Sequence, residues 1–133
     1  MPAKVPSVKG FRDILPVEAR ARRRVLGATA SVLERYGYEE IELPLLERGE
    51  LFSRSVGATS DIVEKEMYAF EDRDGTLVAL RPEGTASVVR AYVEAGLSRA
   101  QPVVRLYYHG PMFRRERPQK GRYRQFTQIG AEL

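Results

Sequence analysis

The chain has 133 residues, 43% of them hydrophobic, and a formal net charge of +4 at pH 7. The absence of cysteine excludes disulfides, thiolate metal sites and a cysteine nucleophile, and the single His109 excludes multi-histidine metal sites. No apolar run reaches the ~20 residues that span a bilayer, and the first ten residues lack the apolar segment of a signal peptide. We therefore expect one soluble, cytoplasmic domain over residues 1–133, with no membrane partner.

The first predicted element is a helix over residues 17–36, close to 30 Å long at about 1.5 Å per residue. Pro16 favours its first turn, and Gly37 favours its end. Apolar residues recur at helical spacing along one stripe: Val17, Ala21, Val25, Ala28, Val32 and Tyr36.

A strand and a short helix are predicted next. YEEIELP is expected to form a strand that ends at Pro44 or marks a sheet edge there, with three buried members, Tyr38, Ile41 and Leu43. GELFSRSVG predicts a short helix closed by Gly57.

MYAFEDRDGTLVAL predicts a β-hairpin, because Asp74-Gly75 is a strong turn signal between two β-prone runs. RPEGT then breaks the strand, and Thr85 is predicted to cap a helix that ends at Gly96. RPEGT has two open interpretations. It is either a structural strand-to-helix turn, or a site where Glu83 presents a carboxylate to the ammonium group of a ligand.

From Pro102 onward the chain regains strand character, and VVRLYYHGPMF and YRQFTQIGAEL predict a long antiparallel hairpin. The order helix, strands, helix, hairpin predicts an α+β fold with an antiparallel sheet covered on one side by helices. The loop of this hairpin concentrates the charge of the chain. Residues 113–126, FRRERPQKGRYRQF, carry a net +5, so the remaining 119 residues sum to −1. This local basicity predicts one anionic ligand or one nucleic-acid end as partner, rather than an extended basic face.

Side chains alternate between the two faces of a strand, so residue parity assigns each face of the hairpin. The even face is predicted to carry Arg114, Glu116, Arg124, Phe126, Gln128 and Glu132. The odd face, predicted to be mostly apolar and packed, carries Tyr107, Phe113, Gln125, Thr127, Ile129, Ala131 and Leu133. An ordinary solvated face would give the same polarity. The isolated Phe126 ring and the preference for arginine over lysine instead favour a nucleotide pocket, with guanidinium groups for phosphate and a ring for base stacking.

GPMFRRERPQKGRYRQFTQIGAE resembles motif 2 of the class II aminoacyl-tRNA synthetases. KGFRDILP and LRPEGTASVVRAY resemble the N-terminal half of the histidyl-tRNA synthetase family, and the resemblance runs from about Lys9 to Leu133. It implies the class II synthetase-like antiparallel sheet flanked by helices. It also implies ATP-dependent activation of histidine and its ligation to tRNA(His), with Mg²⁺ bound largely through the phosphates. Residues 17–46 resemble motif 1, which includes Pro44, and imply a homodimer through this region.

The resemblance assigns roles by position. ATP contacts are implied for Arg114, Glu116, Arg122 and Phe126, and contacts to the histidine substrate for Glu83, Thr85, Gln128 and Glu132. Arg114 is the implied catalytic residue, because it matches the arginine that contacts both the ATP α-phosphate and the amino-acid carboxylate. Glu116 matches the residue that reads the adenine edge, and Phe126 the ring stacked on adenine. Loop 117–122 is expected to meet the acceptor end of tRNA(His), and no residue is expected to bind a metal directly.

The chain departs from the family pattern in two ways. Thr127 stands where the family commonly has histidine, and on the packed face this predicts a packing difference rather than an inactive site. The chain also ends at Leu133, before motif 3, the histidine-specific loop and the anticodon-binding domain. We therefore expect a catalytic-domain fragment with at most partial activity.

Two other functions compete with this interpretation. One is the synthetase-like, histidine-sensing regulatory subunit of ATP phosphoribosyltransferase, which does not charge tRNA. The other is a small basic RNA-binding module. The four ATP-contact positions together favour the enzyme, since a histidine sensor has no use for an adenine clamp, and the near-neutral remainder of the chain disfavours the RNA-binding module.

Overall fold

The computed structural model describes residues 2–55, 66–117 and 119–133. The helices are α1 (Pro16–Arg35), α2 (Gly49–Ser55) and α3 (Thr85–Glu94), and α3 is followed by a 3-10 turn (Leu97–Arg99). The strands are β1 (Glu39–Glu40), β2 (Leu46–Arg48), β3 (Ala69–Glu71), β4 (Leu77–Leu80), β5 (Leu106–Phe113) and β6 (Gln125–Glu132). The predicted α+β class and all three predicted helices are confirmed, whereas the predicted stop at Gly57 lies outside the described residues.

The predicted hairpin over residues 67–80 forms the first of two sheets. β3 and β4 pair antiparallel, β2 joins the other edge of β4, and the strand order is β2-β4-β3. Gly75 takes φ +83° in the turn, a conformation that glycine adopts without strain.

The second sheet has the order β1-β5-β6, and its long antiparallel hairpin is the one predicted from the sequence. Tyr108 lies opposite Gly130, and Met112 lies opposite Phe126. The short β1 pairs parallel to β5, so the prediction of a wholly antiparallel sheet is wrong at this edge. Helix α1 ends with Tyr38 N–H bonded back to Leu33 O, and the chain then enters the sheet edge in the direction of β5.

The buried core consists of two clusters. One joins α2, β4 and the start of α3 through Phe52, Met67, Ala79 and Ala86. The other packs α3 on the even face of β5 through Val88, Tyr108 and Met112, with Ile41, Leu43, Leu106 and Phe126 partly buried against it. The predicted polar character of the even face is therefore wrong at the start of the hairpin, because Tyr108 and Met112 also have even numbers and the prediction left them out.

Helices contact both faces of the second sheet, not one as predicted. On the odd face, the Tyr107 hydroxyl donates to Glu34 Oε1 of α1 at 2.7 Å. No residue of α1 is buried, and Val17 of its apolar stripe is 76% exposed. An open groove of about 570 Å³ separates α1 from Thr127 and Ile129. Thr127 is exposed, so the prediction that it is packed is wrong, since α1 stands off from this part of the face.

Candidate functional site

In the turn between β4 and α3, the carboxylate of Glu83 is hydrogen-bonded to the backbone of helix α3, whereas the functional interpretation of the sequence had it facing a ligand. Glu83 accepts hydrogen bonds from the N–H groups of Thr85 and Ala86, the latter at 3.1 Å. The carboxylate therefore satisfies the free donors of the first turn and lies at the positive end of the helix dipole. The prediction that Thr85 caps the helix is wrong, because Thr85 is its first residue and the side chain of Glu83 reaches the N–H groups first.

Thr85 uses its hydroxyl elsewhere. It donates to Glu132 Oε1 at 2.7 Å and so joins the start of α3 to the end of β6. Two of the predicted histidine-binding residues are thus in direct contact, and Glu83 is hydrogen-bonded to the backbone of one of them. Two carboxylates and a hydroxyl around one helix start form an arrangement that can accept hydrogen bonds from an ammonium group.

Arg114 lies beside this turn. Its Nε donates to Pro82 O at 3.0 Å, and its guanidinium carbon lies 5.0 Å from the centre of the Phe126 ring. Arg114 and Phe126 are therefore on the same side of the sheet, as strand parity predicts. Among the described residues the two terminal nitrogens of Arg114 have no acceptor, which leaves them available to an anion.

Phe126 is not an isolated ring. It is partly buried against the cluster that contains Met112 and Tyr108, in addition to its cation–π contact with Arg114. The premise that it lies alone among polar neighbours is therefore wrong. Its position is explained in part by ordinary packing, and a stacked base would have to share the ring with Arg114.

Arg81 is a structural residue that sequence reasoning missed. It is only 3% exposed, and its side chain donates to Pro111 O at 2.9 Å and to Leu43 O at 3.1 Å. Burial lowers the pKa of its guanidinium, although the charge is retained at neutral pH. Arg81 fastens the turn that carries Glu83 to two neighbouring segments. Nothing in the local sequence distinguishes this buried arginine from the exposed ones.

The base of the basic loop is held by the N-terminal segment. Arg124 N–H donates to Gly10 O at 2.7 Å, and Arg124 Nε donates to Glu116 O at 3.0 Å. Gly10 has φ +88°, and a side chain there would overlap that of Arg124. Arg12 pairs with Glu18 at 2.7 Å and lies 4.6 Å from the centre of the Tyr123 ring. KGFRD marks this segment in the sequence, but its contact with the loop depends on the tertiary fold.

The other predicted site residues are less closely engaged. Gln128 is half-buried on the same face as Phe126 and lies opposite Gly110. Arg122 is exposed and pairs through its backbone with Gln119. Within the part of the chain that the structure describes, no hydrogen bond or ion pair joins the side chains of Glu116, Arg122 or Gln128 to the rest of the site.

The described residues do not contain a cluster of three or more His, Cys, Asp or Glu side chains able to hold a metal ion. Their helices are also too short or too polar for any of them to cross a membrane.

Comparison with known proteins gives a consistent result. A family model described as histidyl-tRNA synthetase matches residues 10–133. The chain is 57% identical over 129 residues to the histidine–tRNA ligase of Geobacter metallireducens, covering 97% of this chain and 31% of the relative. It is 62% identical over 125 residues to the enzyme of Desulfosudis oleivorans, covering 94% and 30%. The chain thus spans about a third of the length of these relatives.

Solved structures agree on the fold. The match to apo histidyl-tRNA synthetase of S. aureus covers 98% of this chain and 28% of the S. aureus chain, with a TM-score of 0.75 and 36% sequence identity. A Bacillus halodurans protein described as an ATP phosphoribosyltransferase regulatory subunit/histidyl-tRNA synthetase matches all of this chain and 33% of its own, with a TM-score of 0.79 and 28% identity.

Proposed function

Because the chain belongs to the histidyl-tRNA synthetase family, we propose that it carries the part of a class II catalytic domain that binds histidine and ATP for activation of histidine. The whole reaction would then ligate histidine to tRNA(His). Residues 1–133 correspond in this proposal to the N-terminal portion of the catalytic domain.

The observation that carries the proposal is the hydrogen bond from Arg114 to Pro82 O. It fixes a guanidinium next to the turn whose Glu83 and Thr85 offer acceptors. An α-amino acid carries an ammonium and a carboxylate on the same carbon, and it requires such acceptors and such a cation side by side. Histidine would lie with its ammonium toward Glu83 and Thr85 and its carboxylate toward Arg114, and Gln128 and Glu132 would be further members of the pocket.

Arg114 suits the chemistry of activation. The histidine carboxylate attacks the α-phosphorus of ATP, the bond to pyrophosphate breaks, and histidyl-adenylate forms. The nucleophile is already an anion, so no general base is required. A positioned guanidinium brings the two anions together and offsets the developing charge.

The other ATP contacts are also proposals. Phe126 would stack on adenine, Glu116 would read its edge, and Arg122 would contact phosphate. Mg²⁺, which neutralises phosphate charge when bound, would be held mainly by ATP oxygens.

We further propose three properties of the whole protein. It would dimerise through residues 17–46, meet the tRNA(His) acceptor end through loop 117–122, and act in the cytoplasm. The exposed apolar stripe of α1 supports the first, since Val17, Val25 and Val32 are 76%, 61% and 50% exposed in the single chain. The concentration of basic residues in the loop supports the second.

The test combines calorimetric titration of the chain with histidine and ATP and an assay of histidine-dependent ATP–pyrophosphate exchange. We expect Arg114→Ala to abolish ATP binding and any exchange that the wild type shows. Arg115→Ala is the matched control, because the guanidinium of Arg115 lies over Tyr68, 5.6 Å from the ring centre. Unchanged ATP binding in Arg114→Ala, or an equal loss in Arg115→Ala, would refute the role of Arg114.

The similarity to the Bacillus halodurans protein favours a second candidate, a histidine-sensing regulatory subunit. A sensor would bind histidine, but it would neither bind ATP nor catalyse histidine-dependent ATP–pyrophosphate exchange. The same titrations therefore separate the two functions.

A further inference from the structure

The N-terminal strap, residues 9–12, lies against the base of the basic loop. Arg124 N–H donates to Gly10 O at 2.7 Å, and Arg124 Nη1 donates to Lys9 O at 3.4 Å. The same guanidinium donates from Nε to Glu116 O at 3.0 Å. Arg124 therefore connects the backbone of the strap to the backbone at Glu116, on the other side of the loop.

The strap also supports the points where the loop begins and ends. Arg114 N–H donates to Arg124 O at 2.9 Å, so the backbone of Arg124 is bound to the strap by its N–H and to Arg114 by its carbonyl. The centre of the Phe11 ring lies 6.5 Å from that of Phe113 and 5.9 Å from that of Tyr68. A displaced strap would therefore change the support of the backbone at both ends of the loop.

Gly10 permits this close approach. Its φ is +88°, and a Cβ there would lie 2.6 Å from both Cγ and Cδ of Arg124. A free arginine side chain could turn aside, but this guanidinium is hydrogen-bonded to Lys9 O and Glu116 O. A side chain at residue 10 would therefore break one or both of these bonds, or push the strap away from the loop.

Arg12 attaches the strap at a second point. Its guanidinium carbon lies 4.6 Å from the centre of the Tyr123 ring. Its two terminal nitrogens donate to the carboxylate of Glu18 at 2.7 Å and 3.0 Å, and Glu18 lies in the first turn of α1. Tyr123, the residue before Arg124, is thus linked through the strap to a helix outside the loop.

Arg124 differs in its contacts from the cations nearer the tip of the loop. Arg117, Lys120 and Arg122 are exposed, whereas Arg124 is half-buried and donates to main-chain carbonyls. The loop therefore combines a base that one arginine fixes with exposed cations that can face an anionic ligand.

We propose that the N-terminal strap is a positioning element of the nucleotide site: acting through Arg124, it holds Glu116 where that residue reads the adenine edge. This role rests on the proposed function, because the contact between Glu116 and adenine belongs to that function. It assigns a task to KGFRD, residues 9–13, a motif that none of the proposed substrate contacts includes.

The arrangement predicts a selective effect on ligands. The side chains that would hold histidine are fixed by other contacts, the guanidinium of Arg114 by Pro82 O and the hydroxyl of Thr85 by Glu132. Loss of the strap contact should therefore weaken ATP binding and leave histidine binding unaffected. Guanine carries a carbonyl oxygen where adenine carries an amino group, so displacement of the adenine-reading residue should weaken ATP more than GTP.

The test is calorimetric titration of the Gly10→Ala chain with ATP and histidine, with GTP measured by competition against ATP. We expect the dissociation constant of ATP to rise roughly five- to tenfold, as for the loss of one hydrogen bond. The constant of GTP should rise less, so that the preference for ATP over GTP falls, and that of histidine should be unchanged. Far-UV circular dichroism checks that the variant is folded.

Gly75→Ala is the matched control. Gly75 has φ +83°, so alanine there must adopt nearly the same unfavourable backbone conformation as at residue 10. Apart from its chain neighbours, however, no atom of the described residues lies within 4 Å of the position of its Cβ. This variant should leave all three dissociation constants unchanged.

A second variant decides the question if Gly10→Ala does not fold. Arg12→Ala removes an exposed side chain and its contacts with Tyr123 and Glu18, and it leaves the core intact. It should raise the ATP constant with the same selectivity over GTP and histidine. Its control is Arg20→Ala, which removes an exposed arginine of α1 and should change none of the constants.

The outcomes separate the role of the strap from the proposed function. If the wild-type chain does not bind ATP, both fail. If it binds ATP and the folded strap variant binds ATP equally well, only the role of the strap fails. Equal weakening of ATP and GTP, equal weakening of ATP and histidine, or the same loss in the control variant would show general loosening of the fold and would also overturn this role.

Discussion

Arg81 offers a direct test of how the turn is held in place. Its guanidinium donates from Nε to Pro111 O at 2.9 Å and from Nη1 to Leu43 O at 3.1 Å. Substitution by lysine keeps the charge but provides a single nitrogen at the end of a flexible chain. We expect Arg81→Lys to lose at least one of these two bonds and to leave one carbonyl without a partner.

The expected magnitude follows from the burial of this site. A hydrogen bond from a charged donor contributes about 1.5–3 kcal/mol, and a buried carbonyl left unpaired costs about 1–3 kcal/mol. The two figures describe the same loss and are not added. Arg81 is 3% exposed, and water cannot readily replace the missing donor. We therefore expect the free energy of unfolding to fall by about 2 kcal/mol, a large fraction of the stability of a small domain.

Urea unfolding followed by far-UV circular dichroism measures this change. Arg99→Lys is the matched control, because Arg99 is exposed in the 3-10 turn, and its substitution should change the unfolding free energy by less than about 0.5 kcal/mol. A loss for Arg81→Lys as small as that of the control would refute the conclusion that both carbonyl contacts stabilise the fold.

Two further substitutions test other contacts. Glu83→Ala should lower the free energy of unfolding, measured by urea unfolding, by about 1 kcal/mol, because α3 loses its cap. Glu71→Ala, which removes an exposed carboxylate on a strand, is the control. If Glu83→Ala loses no more stability than Glu71→Ala, the capping role is contradicted. The hydrogen bond to Glu34 raises the pKa of Tyr107 from 10.0 to about 12, so the unfolded chain loses this proton before the folded one. The free energy of unfolding of the wild type should then decline between pH 10 and pH 12, and that of Tyr107→Phe should decline less. Tyr36 is exposed, so Tyr36→Phe should show the same decline as the wild type. Equal declines in all three chains, measured as urea midpoints, would exclude this role of Tyr107.

The features predicted well from the sequence are those coded within a few residues. The helix over α1 follows from Pro16, Gly37 and a repeated apolar spacing, and the first hairpin follows from Asp74-Gly75. The shared face of Arg114 and Phe126 follows from parity, because both strands are long and regular. These signals require no knowledge of distant parts of the chain.

The features predicted poorly depend on distant contacts or on side-chain reach. The parallel pairing of β1 with β5 joins residues far apart in sequence, and an apolar stripe on α1 does not reveal what it faces. The cap of α3 is Glu83 because its longer side chain reaches the first N–H groups, although Thr85 is the more common type of capping residue. The ring of Tyr108 lies between Gly84 and Gly130, and this position becomes visible only once the hairpin register is known.

The hold of the N-terminal segment on the basic loop has a consequence for biosynthesis. Lys9 O accepts a hydrogen bond from Arg124, 115 residues later in the chain. At ribosomal rates of ~10 residues per second, that partner is made on the order of ten seconds after the segment itself. The contact between Lys9 and Arg124 therefore cannot form until the chain has been translated as far as residue 124, although the segment already has local hydrogen bonds of its own, such as that from Phe11 N–H to Val8 O.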